Sequence, residues 1–76
     1  MLRKSNIPLA FAEEGKAYEV VEIMGGRGAL LKLMEMGIYP GAQLRVISQS
    51  RGPLIVGIGD SRIALGRGIA MKIMVK

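Results

Sequence analysis

The pattern of apolar and polar positions predicts short strands along most of the chain. Two segments alternate apolar and polar side chains, at least in part, as half-buried strands do, and the first is also rich in β-branched residues. Two others flank the glycine-containing linker 59–61, which is typical of a hairpin. The five predicted strands span residues 18–23, 43–48, 54–58, 62–65 and 72–75. Glycine-rich corners separate them, which predicts a mainly β fold in the form of a small closed or nearly closed barrel.

One segment, residues 29–36, follows a helical period instead. It consists of strong helix formers, and Leu30, Leu33 and Met34 fall at i, i+3 and i+4, so we expect this face to point inward. Gly37 stands where a helix end needs a residue with positive φ. Two turns of helix are not stable alone in water. The segment is therefore predicted to pack on the sheet and plug one end of the barrel.

Proline and glycine predict the remaining boundaries. Pro40 and Gly41 are the residues that a type II turn takes at its two central positions. Residues 66–68 are predicted to turn the chain, with Arg67 as a solvated side chain. Residues 1–15 are predicted to form an irregular lead-in, because Pro8 opposes regular strand pairing. With 76 residues, the whole chain 1–76 has room for one domain.

Composition removes most site chemistry. The chain has no cysteine and no histidine, which excludes disulfides, thiolate metal sites, the commonest general base and the commonest metal ligand. The six methionines are spread along the chain and fit core packing better than a copper(I) site. The glycine-rich residues 25–28, Gly-Gly-Arg-Gly, precede the predicted helix but lack the Lys-Ser/Thr of a phosphate loop. We expect no enzyme activity and no cofactor, and a nucleotide site at these glycines is the lesser alternative to a plain loop.

Hydropathy and charge bear on location and partners. Every apolar run is interrupted well before the roughly 20 residues that a membrane-spanning helix needs. We therefore expect a soluble, cytoplasmic protein. The net charge of +5 suits nucleic acid, acidic lipid or an acidic protein, but the basic residues are scattered. Only three aromatic residues are available for base stacking. Nucleic-acid binding by a small basic barrel thus remains the alternative function.

The outer side of the predicted helix offers a candidate contact surface. Leu31 lies about 100° from Leu30 around the helix axis. It neighbours Glu35 at i+4, with Lys32 further out. Together with Tyr39 these residues are predicted to form a mixed apolar and charged partner-binding surface, the helix-rim patch (Leu31, Lys32, Glu35 and Tyr39). The alternative is that Leu31 tucks beneath the N-terminal lead-in.

Several segments in a fixed order resemble the FeoA family. The most specific is a glycine pair before a helix that ends in acidic-apolar-Gly-Ile-x-Pro-Gly. Two later segments resemble the last three strands of the family. The matching segments are Gly25-Gly26-x-x-x-Leu30-x-x-x-Met34-Glu35-Met36-Gly37-Ile38-x-Pro40-Gly41, then Leu44-Arg45-Val46-Ile47, Gly52-Pro53-Leu54-Ile55-Val56 and Ile63-Ala64-Leu65-Gly66-Arg67-x-x-Ala70-x-x-Ile73-x-Val75. The resemblance covers residues 8–76.

The resemblance implies an SH3-like barrel that assists ferrous-iron uptake in the cytoplasm. Its implied partner is the membrane transporter FeoB, whose cytoplasmic G-protein domain such a module would bind and modulate. Iron(II) is then handled by the transport system and not by ligands in this chain, and contact with the membrane occurs only through the partner. A similar barrel forms the C-terminal domain of iron- and manganese-dependent repressors, but this chain has no winged-helix partner. Self-association through exposed strand edges stays open.

Overall fold

Antiparallel strands dominate the computed structural model, which describes residues 6–76. In chain order the strands and helices of this part are β1 (Ile7–Pro8), a 3-10 turn (Leu9–Phe11), β2 (Ala17–Ile23), α1 (Arg27–Glu35), β3 (Gln43–Ser48), β4 (Leu54–Ile58), β5 (Ser61–Leu65), α2 (Arg67–Ala70) and β6 (Ile73–Val75). The strands form one sheet in the order β1-β6-β2-β3-β4-β5. The prediction of a mainly β fold with one or two short helices is confirmed.

The long strand β2 bends the sheet into a small barrel. Its first residues, 17–19, pair with β3, whereas residues 20–23 pair with β6. The register with β6 shifts between Val20 and Glu22, and a second shift interrupts β3 and β4 between Val46 and Ser48. Such bulges bend a strand and increase its twist. They allow β2 to pair with strands in both halves of the sheet, which face each other across the core.

The N-terminal segment differs from the predicted irregular lead-in. Ile7 and Pro8 pair with Val75 and Met74, and the 3-10 turn follows directly. Proline is tolerated here because β1 is an edge strand, where a missing N–H breaks no ladder. Leu9 is completely buried, so this segment belongs to the core. The first five residues of the predicted lead-in lie outside the described part of the chain.

The core consists of aliphatic side chains. Alternate residues of β2, β3, β4 and β6 point inward, as a period of two requires. Among residues 6–76 no polar or charged residue is buried. The largest fully buried side chains are Leu9, Ile38, Leu54, Ile73, Val20, Val46, Val56 and Val75.

Helix α1 begins at Arg27, two residues before the predicted start, and its inward face is centred on Leu33. Leu33 is 4% exposed, whereas Met34 is 47% exposed. The prediction that Met34 faces inward is therefore wrong. The helix sits at the end of the barrel through Leu33 and the half-buried Met36 beyond its C-terminus. Met34, two positions away from Met36, is rotated by about 200° to the solvent side.

The end of α1 confirms the role predicted for Gly37. Its φ is +92°, and its N–H donates to the Met34 carbonyl at 3.0 Å. The Ile38 N–H donates to the Leu33 carbonyl at 2.9 Å. These two bonds define a Schellman motif, and the buried side chains of Leu33 and Ile38 supply its usual apolar contact.

The predicted turns are also present, with one difference. The Ala42 N–H donates to the Tyr39 carbonyl at 2.9 Å, and Gly41 has a φ of +96°, as in a type II turn. Gly59 (φ +59°) begins the two-residue connection from β4 to β5. A turn was predicted at residues 66–68, but residues 67–70 form the short helix α2.

Candidate functional site

The solvent side of α1 carries three of the four residues of the helix-rim patch. Leu31 is 53% exposed, and both Lys32 and Glu35 are exposed. At 100° per residue, Lys32 and Glu35 are neighbours about 60° apart on the same side of Leu31, and Glu35 is one turn from Leu31. The exposure of Leu31 shows that residues 6–15 of the lead-in do not cover its side chain.

Tyr39, the fourth residue of the patch, follows α1 at the first position of the type II turn. Its carbonyl accepts the turn hydrogen bond, and its side chain is 46% exposed. Gly37 and Ile38 end the helix and the turn begins directly after them. The Tyr39 backbone therefore lies at the C-terminal end of α1, where Glu35 is located. The buried Ile38 anchors the stretch between them.

Met34 adjoins the patch and was not predicted to do so. It lies three residues after Leu31, so both side chains are on the same exposed helix surface. An exposed pair of large apolar side chains at this spacing is typical of a helix face that meets a partner. The helical phase that would identify Met34 depends on the burial of Met36, which the sequence pattern alone did not indicate.

Metal coordination has no support in the residues that the structure describes. Nowhere in residues 6–76 do three or more carboxylates converge in a way that could hold a metal ion.

One ion pair lies just before β2, where the Lys16 Nζ and Glu13 Oε1 atoms are 3.1 Å apart. A hydrogen bond to Glu13 raises the pKa of the exposed Lys16 amine above its usual 10.5.

A second surface feature is an apolar groove between the two helices. Its volume is about 260 Å³. We call it the α1–α2 groove, and it is lined by Ala29, Lys32, Leu33, Met36, Ala64, Leu65, Gly66 and Ile69. Lys32 thus belongs both to the helix-rim patch and to one side of this groove.

Arg67 lies on the open side of the barrel, between the two edge strands β1 and β5, and links the segments there by hydrogen bonds. Its guanidinium donates to the Gln49 side-chain oxygen at 2.8 Å and to the carbonyl of Ser50. The Gln49 amide in turn donates to the carbonyls of Ala10 and Ala12 at 3.2 and 2.7 Å. This network joins α2, the β3–β4 loop and the N-terminal segment between the edge strands β1 and β5. Arg67 is exposed, as predicted, but the sequence did not predict that its side chain makes these hydrogen bonds.

None of the helices among residues 6–76 is long and apolar enough to cross a bilayer.

Comparison with known proteins places the chain among similar sequences and folds. The model of the FeoA domain matches residues 7–76. A protein of Methanocaldococcus jannaschii, named as a candidate Fe(2+) transport protein A, is 51% identical over 69 residues, which are 91% of this chain and 84% of that protein.

Solved structures agree with the sequence comparison. The crystal structure of an iron uptake regulatory protein, FeoA, is 40% identical, with a TM-score of 0.87 over 96% of this chain and 97% of that chain. T. acidophilum IdeR has a TM-score of 0.86 over 100% of this chain and 36% of its own, at 19% identity, which shows a shared fold alone. The matched residues and the shared barrel lead to one conclusion: the chain belongs to the FeoA family, small SH3-like proteins associated with ferrous-iron transport.

Proposed function

We propose that this protein is a cytoplasmic accessory of ferrous-iron uptake that binds and modulates an FeoB-type transporter through the helix-rim patch. The observation that carries the proposal is the exposed apolar surface of α1, where Leu31 is 53% and Met34 47% exposed. A soluble domain gains nothing in its own stability from large apolar side chains in water. A partner that covers them gains the free energy of their burial.

The chemistry of the patch suits a protein contact. An apolar centre with charged residues at its edge is the usual composition of a specific interface. Leu31 and Met34 form the centre, and Lys32 and Glu35 supply one charge of each sign beside it. The charges would set the orientation of the partner, while the apolar pair would contribute most of the affinity.

The family and its relatives supply the partner class. The relative from M. jannaschii is named for Fe(2+) transport, and a solved relative is named as an iron uptake regulatory protein. A chain with no cluster of metal ligands among residues 6–76 is better suited to act on a transporter than to carry the metal itself. The cytoplasmic G-protein domain of FeoB is the proposed contact.

Calorimetric titration with matched variants tests the proposal. This protein would be titrated into the purified cytoplasmic domain of the cognate transporter, with and without guanine nucleotide. Leu31→Glu places a charge at the centre of the patch, and we expect it to weaken binding by about 100-fold or more, as for a buried interface centre. Phe11→Glu is the control, because Phe11 is 66% exposed but lies in the N-terminal 3-10 turn.

The outcomes separate the patch from the partner. If Leu31→Glu abolishes binding and Phe11→Glu preserves it, the result supports both the helix-rim patch as the contact and the G-protein domain as the partner. Equal loss in the two variants, or none in either, removes the helix-rim patch as the contact. Absence of binding in every nucleotide state removes the G-protein domain as the partner.

A further inference from the structure

Strand β5 ends the sheet and leaves one edge unpaired in the part of the chain that the structure describes. Ile58 and Ser61 flank the two-residue turn, and the pairing continues to Leu54 and Leu65. Residue pairs next to such a turn are hydrogen-bonded, and bonded and non-bonded pairs then alternate along an antiparallel ladder. The residues of β5 that do not bond to β4 are therefore Arg62 and Ala64.

The outward edge of β5 is accessible. Arg62 and Ala64 are both exposed, and their N–H and C=O groups point away from β4. None of these groups takes part in the backbone bonds that join loops and turns to the strands of residues 6–76. The edge thus presents two donors and two acceptors at the spacing of a strand, which is what an additional extended segment needs in order to pair.

The α1–α2 groove begins where this edge ends. Ala64 and Leu65 belong to β5 and also line the groove, whose other sides are Leu33 of α1 and Ile69 of α2. Side chains of an added strand would alternate between the two faces of the sheet. One apolar side chain of such a strand would then meet the groove while its backbone pairs with Arg62 and Ala64.

The charge of this surface selects the occupant. Groove and β5 together contain the basic Lys32 and Arg62 and no carboxylate. Asp60 lies in the turn beyond the strand, at the end away from the groove. The whole chain carries a net charge of +5. A second copy would bring the same positive surface, whereas a segment with acidic side chains complements it.

We propose that the β5 edge and the α1–α2 groove bind an extended acidic–apolar segment of a partner protein, which adds a strand to the sheet. The backbone of the segment pairs with Arg62 and Ala64, an aliphatic side chain enters the groove, and carboxylates lie near Arg62 and Lys32. This surface shares Lys32 with the helix-rim patch but does not include Leu31 or Met34, and the inference does not depend on the identity of the transporter.

A synthetic peptide tests the mode of binding. The probe is an eight-residue peptide in which glutamate alternates with leucine or valine, titrated into isotope-labelled protein and followed by NMR. We expect saturable shifts at the amides of Arg62, Ala64 and Ile69. A peptide of the same sequence with an N-methyl group on every backbone nitrogen should bind at least about tenfold more weakly, because neither of its edges can donate hydrogen bonds to β5.

Matched variants locate the site. Ala64→Pro removes an outward N–H from an edge strand, where proline is tolerated, and Ile69→Glu places a charge in the groove. Met71→Glu is the control for Ile69→Glu, since Met71 is 45% exposed at the end of α2 but does not line the groove. Circular dichroism would check that each variant is folded. We expect weaker peptide binding for the first two and unchanged binding for the third.

Three results would overturn the proposal. One is equal affinity for the parent and N-methylated peptides. Another is an equal response of Ile69→Glu and Met71→Glu. The third is a dimer in sedimentation that Ala64→Pro dissociates, because β5 would then pair with a second copy of this chain.

Discussion

The end of helix α1 gives a quantitative test of the forces that hold this fold, through the substitution Gly37→Val. Gly37 has a φ of +92°, a region that costs a residue with a side chain about 1–3 kcal/mol. A β-branched residue lies at the upper end of that range. A Cβ at this position would also lie 3.3 Å from the Ile58 Cγ2 atom, which must move by a few tenths of an ångström.

The combined cost should be about 2–3 kcal/mol, a large part of the stability that a domain of this size has. A domain of 60–100 residues loses about 4–8 °C of Tm for each kcal/mol, so the expected drop in Tm is about 10–20 °C. Urea unfolding followed by far-UV circular dichroism measures the free energy, since the chain has no tryptophan for a fluorescence signal.

Gly28→Ala is the matched control within the same helix. Gly28 lies in α1, its φ is not positive, and a Cβ there meets no atom within 4 Å. Alanine should stabilise the protein by about 0.5–1 kcal/mol, because glycine loses more backbone entropy on folding. A Gly37→Val variant within about 0.5 kcal/mol of the parent, with Gly28→Ala behaving as expected, would refute the assignment of strain to Gly37.

Three further predictions address the core, the open side of the barrel and the alternative function. Leu9→Ala should lower the free energy of unfolding by about 2–4 kcal/mol because Leu9 is fully buried; an effect as small as that of the exposed Phe11→Ala would remove the N-terminal segment from the core. Arg67→Lys should cost about 1 kcal/mol in urea unfolding, since lysine cannot bridge Gln49 and Ser50 with a planar fork; unchanged stability would contradict the network's role. Titration of single-stranded RNA or DNA near physiological salt should show no saturable binding, and a steep salt dependence of any binding would support the nucleic-acid alternative instead.

Local chemistry explains which parts of the fold the sequence predicts. The type II turn at Pro40 and Gly41 and the helix stop at Gly37 are confirmed because each depends on the φ preferences of one or two residues. The predicted strand at residues 43–48 has the bounds that the structure shows. Apolar and polar residues alternate along most of this strand because only one of its faces is buried. Such a pattern depends on neighbouring residues alone and is therefore visible in the sequence.

Long-range packing explains the failures. Pro8 argued against strand pairing, but its partner Met74 lies at the other end of the chain, and β1 is an edge strand in which no second neighbour needs the missing N–H. Arg67 reaches Gln49, 18 residues away, which no local pattern reveals. Met34 was wrongly predicted to face inward. The inward face of α1 is set by the burial of Leu33 and Met36, which depends on where the helix meets the barrel.

The candidate site follows the same division. Leu31, Lys32 and Glu35 were predicted from helical geometry, and their exposure agrees with a contact surface. Met34 and the α1–α2 groove required the three-dimensional arrangement. The groove joins residues of α1, β5 and α2 that are far apart in sequence, so only the folded chain brings them together.

NMR mapping of the complex tests the central proposal most directly. Isotope-labelled protein would be titrated with the unlabelled cytoplasmic G-protein domain of the cognate transporter, in the nucleotide-free, GDP-bound and GTP-analogue-bound states. We predict that amide shifts in at least one state concentrate in residues 27–39, around Leu31 and Tyr39. The absence of shifts in every state, or shifts confined to other surfaces of the barrel, would contradict binding through the helix-rim patch.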